Sequence, residues 1–390
     1  MRILYLHQFF ITREGVGGTR SYEFARRFAA RGHAVRMVTA GGGSRTVEGV
    51  EVVGVRGAYS DYLSATAMSY PRRMVAFARF TLTAAAAAAL RGPRPDVVYA
   101  SSPPLTIGLP GLLAAARWRA PLVFEVRDLW PEAPIQMGAL RNPLLRQAAR
   151  WLERLVYRRS ARIIALSPGI RDGVVAAGAA DDRLAVVPNA SDLELFSPSL
   201  DGRAERDRLG LGDGLVCSYF GAMGEANDLD QLIDAAALVE DVEFVLLGDG
   251  KRRPELEARA PANVRFLDPV PDKRSVARLA AASDACLTLF KDVPVLATNS
   301  PNKLFDTFAA GRAAIVNMPG WMRELVEGNE AGLFVRAGDA RDLAEKVTWL
   351  RDNPRDAERL GRNGRALAER AFDRDTLAVR TLAVLEEAAR

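Results

Sequence analysis

Residues 297–311 read ATNSPNKLFDTFAAG, and together with their flanks they decide the fold. An apolar run from Ala285 to Phe290 reads as a buried strand before them. An apolar-periodic segment follows, so the stretch is a loop entering a helix. Pro301 suits a first helical turn, and Asn299, Ser300 and Asn302 suit the helix entrance. Lys303 then sets an ammonium beside free backbone N–H groups, an arrangement suited to a phosphate. Asp306, about one turn further on, is a candidate acceptor for ribose hydroxyls. Ala309, Ala310 and Gly311 permit close helix packing. An ordinary capped helix between two strands has the same composition.

Outward from this stretch the same alternation recurs. Met1 to Leu6 reads as a buried first strand ending at His7, followed by the loop GVGGTR and a helix from near Ser21. Further strands are expected at Val35–Thr39, Val52–Arg56, Val97–Ala100, Leu122–Val126, Ile163–Leu166 and Ala185–Pro188, with helices between them. Such alternation predicts a parallel α/β sheet, in which ligands bind beyond the carboxyl ends of the strands. His7, Ser102 and the run Arg127-Asp128-Leu129-Trp130-Pro131-Glu132 therefore share one edge. His7 and Ser102 are candidates for acceptor contact, with a buried structural histidine as the other reading of His7. Gly17 and Gly18 are candidates for close approach to a sugar or phosphate. Asp128 and Glu132 suit a base or an acceptor-orienting role, and Arg127 suits a phosphate; an internal ion pair among the three is the alternative. The glycine spacing falls short of the dinucleotide fingerprint, and no convincing ribose-binding acid follows the Val52–Arg56 strand. Both points argue against a nicotinamide enzyme.

The polar segment Ser199 to Gly214 reads as an interdomain linker, after which the pattern restarts. Leu215–Phe220 is a strand leading to Gly221, Glu243–Leu247 a strand leading to Gly248-Asp249-Gly250, and Val264–Leu267 another. Gly221 and Gly250 join the candidate nucleotide-contacting residues. The expected domains are 1–198 and 199–375, with a C-terminal helix within 376–390 crossing back onto the first. Asp228-Leu229-Asp230 sits at a helix start, where acids favour the macrodipole, so it reads as a cap rather than a metal site. With two histidines and no clustered ligands, neither metal nor cofactor is expected.

At 390 residues and 49% hydrophobic, the chain suits two globular domains. Cys217 and Cys286 lie far apart, which fits a reducing compartment, and the start shows neither a signal peptide nor a spanning helix. A cytoplasmic location is expected. Net charge is +5 but unevenly spread: residues 1–195 hold 26 arginines and no lysine against 15 acids, a net of +11. The remainder nets −6. An anionic partner for the first domain follows, either a membrane face or a phosphorylated acceptor. Nucleic acid is disfavoured, because stacking aromatics are not interleaved with the arginines. Arg146, Arg150, Arg154 and Arg158 form one helical stripe opposite a packed side of Leu145, Ala148, Ala149, Leu152, Leu155 and Val156. With Arg72, Arg73 and Arg79 near Phe77 and Phe80, this stripe suits docking on anionic lipid, or a solvated helix face.

The motifs RGHAVRMVT, IIALSPGI, VPNASDLELF, FVLLGDGKRRPELE, SPNKLFDTFAAGRAAIVN and EAGLFVRAGDARDLAEKV together resemble the retaining GT-B glycosyltransferases of family four. HQFF, TRSYEFARRF and EVRDLWPE are most similar to the branch containing N-acetyl-fucosaminyl transferases of bacterial surface-polysaccharide assembly. The resemblance implies two Rossmann-like doubly wound domains around a cleft. It implies transfer of a sugar from a nucleotide sugar, UDP-sugar favoured, to a hydroxyl of a polyprenyl-diphosphate-linked acceptor. It puts ribose recognition on Asp306 and sets Thr298 where the family commonly has a glutamate. It sets Arg127 where a histidine is frequent, so Asp128 or Glu132 would activate the acceptor, while Lys303 would hold the diphosphate. A soluble small-molecule acceptor, or nucleotide-sugar epimerisation on the same fold, are the alternatives.

Overall fold

The computed structural model describes residues 1–55, 70–270 and 272–390. The expected strand end at Arg56 and the side chain of Arg73 lie outside what is described. The first domain holds eight strands: β1 (Arg2–Leu6), β2 (Ala34–Ala40), β3 (Gly43–Val47), β4 (Val50–Val55), β5 (Val97–Ser101), β6 (Leu122–Val126), β7 (Arg162–Ala165) and β8 (Leu184–Val186). Their order is β3-β4-β2-β1-β5-β6-β7-β8, parallel except for β3, which returns antiparallel along β4. The second domain holds β9 (Leu215–Phe220), β10 (Val242–Leu247), β11 (Val264–Leu267), β12 (Ala285–Thr288), β13 (Ala313–Val316) and β14 (Gly332–Phe334), in the order β11-β10-β9-β12-β13-β14.

Central strands read as unbroken apolar runs because helices cover both faces. In the first domain Leu4, Leu6, Val98, Ala100 and Phe124 face Phe80, Ala84 and Val156. Their alternates Ile3, Tyr5, Val97, Tyr99 and Val123 face Phe24, Phe28, Leu377 and Leu385. The helix Arg374–Ala389 therefore belongs to the first domain's core although it ends the chain. A bridge between Ser191 and Asp373 ties the two crossings together.

The segment expected as a linker is not one. Asp201 accepts a hydrogen bond from the Ala204 N–H and caps a helix at Gly202–Leu209, which packs on the helix Lys273–Ala282 of the second domain. The chain crosses earlier, before Asp201. Strand order reverses between β1 and β5 in one sheet and between β9 and β12 in the other. At such switch points neighbouring loops part and open a crevice.

Candidate functional site

The two switch points face each other, and their loops meet. A side chain built at Gly18, in the loop after β1, would stand 3.5 Å from both the Arg127 guanidinium and the Asn302 amide. Gly18 and Arg127 come from the first domain, and Asn302 opens the helix Asn302–Ala309 of the second. The lobes are also joined by Lys273 N–H to the Arg13 carbonyl at 2.9 Å and by Val295 N–H to Gln136 at 2.9 Å. The Ser167 hydroxyl donates to the carbonyl of Thr298.

On the second-domain wall, the Lys303 ammonium donates to the Tyr219 hydroxyl at 2.8 Å and lies 3.3 Å from the Asn227 carbonyl oxygen. It also stands 4.0 Å from the centre of the Tyr219 ring. No carboxylate comes within ion-pair distance of it among the described residues. Burial lowers its pKa to about 7. Gly221, at φ +141°, makes room for it: a Cβ there would sit 3.3 Å from the ammonium. The N–H groups of Asn302 and Lys303 have no backbone partner among the described residues. An ammonium without a carboxylate partner, on a helix whose first two N–H groups lack backbone partners, is chemically suited to an anion.

On the first-domain wall, His7 is buried and donates from Nδ1 to the Ser101 carbonyl at 2.8 Å, leaving Nε2 to accept from Arg127 at 3.0 Å. Burial, reinforced by the Arg127 charge, lowers its pKa to about 3 and keeps it neutral. Arg127 has no carboxylate partner among the described residues, and its backbone N–H donates to the Ser102 hydroxyl at 3.2 Å. Beside it, burial raises the Asp128 carboxyl, opposed by Arg127, and no hydrogen bond holds that carboxyl among the described residues.

Several assignments made from sequence change here. His7 and Ser102 are each 2% exposed and each accepts a hydrogen bond from Arg127, His7 at Nε2 and Ser102 at its hydroxyl, so they buttress Arg127. Glu132 turns to Arg150 at 2.9 Å, away from Arg127 and Asp128. Asp306 is 1% exposed and its two carboxylate oxygens accept from Ser191 at 2.8 Å and Lys273 at 2.6 Å, so burial and these internal partners keep it from a ribose. Ser300 is spent on Asn189, whose N–H reaches its hydroxyl at 3.0 Å and whose amide reaches its carbonyl at 2.5 Å. Asn299 closes a turn on the Leu296 carbonyl. Gly250 packs on the backbone of Met223, where a Cβ would come within 2.4 Å of its carbonyl oxygen. Gly17 adopts φ +136° in the loop that presents Gly18.

Beneath the cleft lies a buried pair that sequence reasoning passed over. Arg20 grips Glu125 at 2.8 Å and the carbonyls of Val187 and Pro188 at 3.0 and 2.6 Å. Tyr99 and Ser101 donate to the same carboxylate at 2.6 and 2.5 Å. Burial alone would raise the Glu125 carboxyl, but Arg20 overcomes it and holds the group at about 2. A glutamate inside the otherwise apolar strand LVFEV was the available signal, since a charge in a buried strand needs a partner. The pair fixes the glycine loop, β6 and the first crossing to one another.

Two doubly wound lobes that meet across their switch points define the class. Residues 16–190 match the glycosyl transferase 4-like domain and residues 214–353 the glycosyl transferases group 1 domain, and the chain belongs to this family of GT-B glycosyltransferases. It is 30% identical over 304 residues to a D-inositol 3-phosphate glycosyltransferase of Xylanimonas cellulosilytica, covering 72% of this chain and 70% of that one. A protein of the same name from Thermomonospora curvata is 29% identical over 285 residues, 65% of this chain, and the match spans under two thirds of its length, 63%. Anabaena HepE, solved in complex with UDP-glucose, superimposes with a TM-score of 0.74 at 20% identity, over 99% of this chain and 100% of that one.

Proposed function

We propose that the chain transfers a hexosyl group, with retention, from a nucleoside-diphosphate sugar to a hydroxyl of a polyprenyl-diphosphate-linked saccharide at the cytoplasmic membrane face. The observation that carries this reading is that each lobe brings a cation without a carboxylate partner among the described residues, Arg127 from the first and Lys303 from the second, and that Arg127 meets Asn302, the residue before Lys303, across Gly18. Departure of a nucleoside diphosphate builds negative charge on its terminal phosphate. Preorganised cations and N–H groups stabilise that charge most in a closed, dry cleft. On this reading Lys303, Arg127 and the Asn302 and Lys303 N–H groups take the charge without a metal. Asp128, without a hydrogen bond among the described residues, orients the acceptor hydroxyl. UDP is the favoured nucleotide, and a same-fold protein binding UDP-glucose supports that choice. The surface-polysaccharide branch rests on HQFF, TRSYEFARRF and EVRDLWPE alone.

A soluble phosphorylated acceptor is the second reading, favoured by relatives named D-inositol 3-phosphate glycosyltransferase. One experiment addresses both. Thermal stabilisation is screened with UDP, GDP, ADP and dTDP, and the stabilising donor, radiolabelled, is then offered lipid-linked and water-soluble acceptors. Label partitioning into butanol supports the lipid-linked acceptor, and label in water supports the soluble one. No stabilisation by any nucleotide would remove the donor site altogether. Activity abolished by EDTA and restored by Mg²⁺ would overturn the metal-free reading.

A further inference from the structure

We propose that the outer face of the first domain docks on an anionic lipid bilayer through three neighbouring helices, whose apolar tips enter the membrane while their arginines meet lipid phosphates. Such docking draws its purpose from the lipid-linked acceptor proposed above, and its chemistry from the surface itself.

The helix Tyr70–Leu90 packs along Gly108–Trp118, which packs in turn against Pro143–Arg159. The first two contain no acidic residue. The third contains only Glu153, which is 7% exposed and points inward beside Tyr157. The outer surface of all three is therefore free of carboxylates.

Apolar side chains crowd there instead. Of the thirteen large apolar side chains exposed among the described residues, eight belong to these helices, which are 21, 11 and 17 residues long. Leu82 is 72% exposed, Leu144 79% and Trp151 58%. Leu145, expected from sequence on the packed side, is also out in solvent, so the opening turns of its helix stand clear of the domain. Amphipathic surfaces that lie on membranes have this composition: leucine and tryptophan projecting, arginine alongside, acids absent.

The state of the arginines separates this surface from a merely arginine-rich one. In the second domain most arginines meet a carboxylate, the exposed Arg203, Arg259, Arg323 and Arg359 among them, while the exposed Arg274, Arg341, Arg355 and Arg370 meet none among the described residues. On the outer helices Arg72, Arg79, Arg117, Arg154, Arg158 and Arg159 meet none among the described residues, and only Arg150 is paired, with Glu132. One described arginine of eight on these helices is paired, against a majority in the second domain, a difference that compositional bias alone does not produce. Unpaired cations interleaved with projecting leucines fit a partner that offers negative charge at its surface and hydrocarbon beneath it, which is a bilayer containing anionic lipid. A nucleic acid would offer phosphates but nothing for Leu82, Leu144 or Trp151 to enter. The docking helices also reach the cleft, since Phe77 packs edge-on against Trp130 in the run that ends β6.

The test uses the full chain and vesicles of phosphatidylcholine, with or without about 30 mol% phosphatidylglycerol. Partitioning into the anionic vesicles is expected to be about tenfold tighter than into the neutral ones and to weaken as salt rises. A Leu144→Ser, Leu145→Ser, Trp151→Ser triple variant, and separately an Arg154→Glu, Arg158→Glu variant, are each expected to reduce partitioning about tenfold. UDP-dependent thermal stabilisation should be unchanged in both. Equal binding to neutral and anionic vesicles, no vesicle binding, or binding indifferent to both variants would overturn the inference, as would duplex DNA binding without vesicle binding. Vesicle binding without nucleotide stabilisation would instead defeat only the donor site.

Discussion

Replacing Lys303 by methionine tests the donor site most directly. Its ammonium has no carboxylate partner among the described residues, and burial holds its pKa near 7, against 10.5 ordinarily. A bound diphosphate would supply the missing counter-charge and return the pKa toward its ordinary value. Binding above pH 7 must therefore take up a proton, about 0.9 of one at pH 8. Affinity should fall by up to about tenfold per pH unit from pH 7 upward. The nucleotide's own phosphate is already ionised there and does not contribute to the slope. Hydrogen bonds to charged groups are worth about 1.5–3 kcal/mol, so Lys303→Met should weaken UDP about 10- to 150-fold at pH 6.5. It should also abolish the proton uptake. Titration calorimetry at pH 8, in two buffers of different ionisation heat, measures both quantities. The sign for the ligand-free protein is opposite. Between pH 7 and 10.5 the unfolded lysine keeps a proton that the folded one has released, so Lys303 makes stability rise with pH across that window. The gain is below about 1.4 kcal/mol per unit because the side chain is partly open to water. A variant that binds UDP within twofold of the parent and takes up the same proton would refute the assignment.

Three further outcomes follow from the geometry. Asp306→Ala leaves the Lys273 ammonium buried without its partner and should cost about 3–5 kcal/mol, read as a lower urea midpoint, while the UDP-induced thermal shift persists; its loss would restore the ribose role. Glu125 is held at about 2 by Arg20, so its contribution is complete above its ordinary value near 4.5 and drains away as pH falls through 2. Glu125→Gln should therefore destabilise by about 3 kcal/mol at pH 7 and flatten the loss of stability below pH 4.5, measured by urea unfolding across pH. Gly18→Val would push methyl groups onto Arg127 and Asn302, so turnover should drop about 100-fold while stability changes by less than about 1 kcal/mol.

The fold was legible because it is written in period and polarity. Apolar runs bounded by glycine, such as the one from Leu215 to Phe220 before Gly221, have few other ways to be buried. β3 and the short β14 have no clear signal of their own, and the AAIV of β13 lies inside a motif that carries only the family resemblance. The helix at Gly202–Leu209 was passed over because polarity alone made it look like a connection; Asp201 was the cap that marked it.

The site was legible in place and less so in role, for a physical reason. Sequence locates a polar residue at the carboxyl edge of a strand, but what its lone pairs and protons already satisfy depends on elements far along the chain. Asp306 meets Ser191 from 115 residues away, and His7 meets Arg127 from 120. Each was assigned a ligand because its internal partner was out of view.

Uncompensated charge is what survives this sorting. Most cations of the chain find a carboxylate, and these hold structure: Arg20 with Glu125, Lys273 with Asp306, Arg27 with Glu23 and Asp192. Among those that find none in the described residues are Arg127 and Lys303 at the junction of the lobes, and Arg72, Arg79, Arg117, Arg146, Arg154, Arg158 and Arg159 on the outer helices of the first domain. A cation kept from water without a partner costs free energy, so its persistence argues that a partner arrives from outside. At the junction a diphosphate carries the complementary charge. On the outer helices the charges are spread along exposed leucines, which only an extended anionic surface with an apolar interior would satisfy. The outer arginines are solvated and carry no such desolvation cost, so an ordinary lysine pKa for Lys303 in the ligand-free protein would weaken the donor-site reading alone.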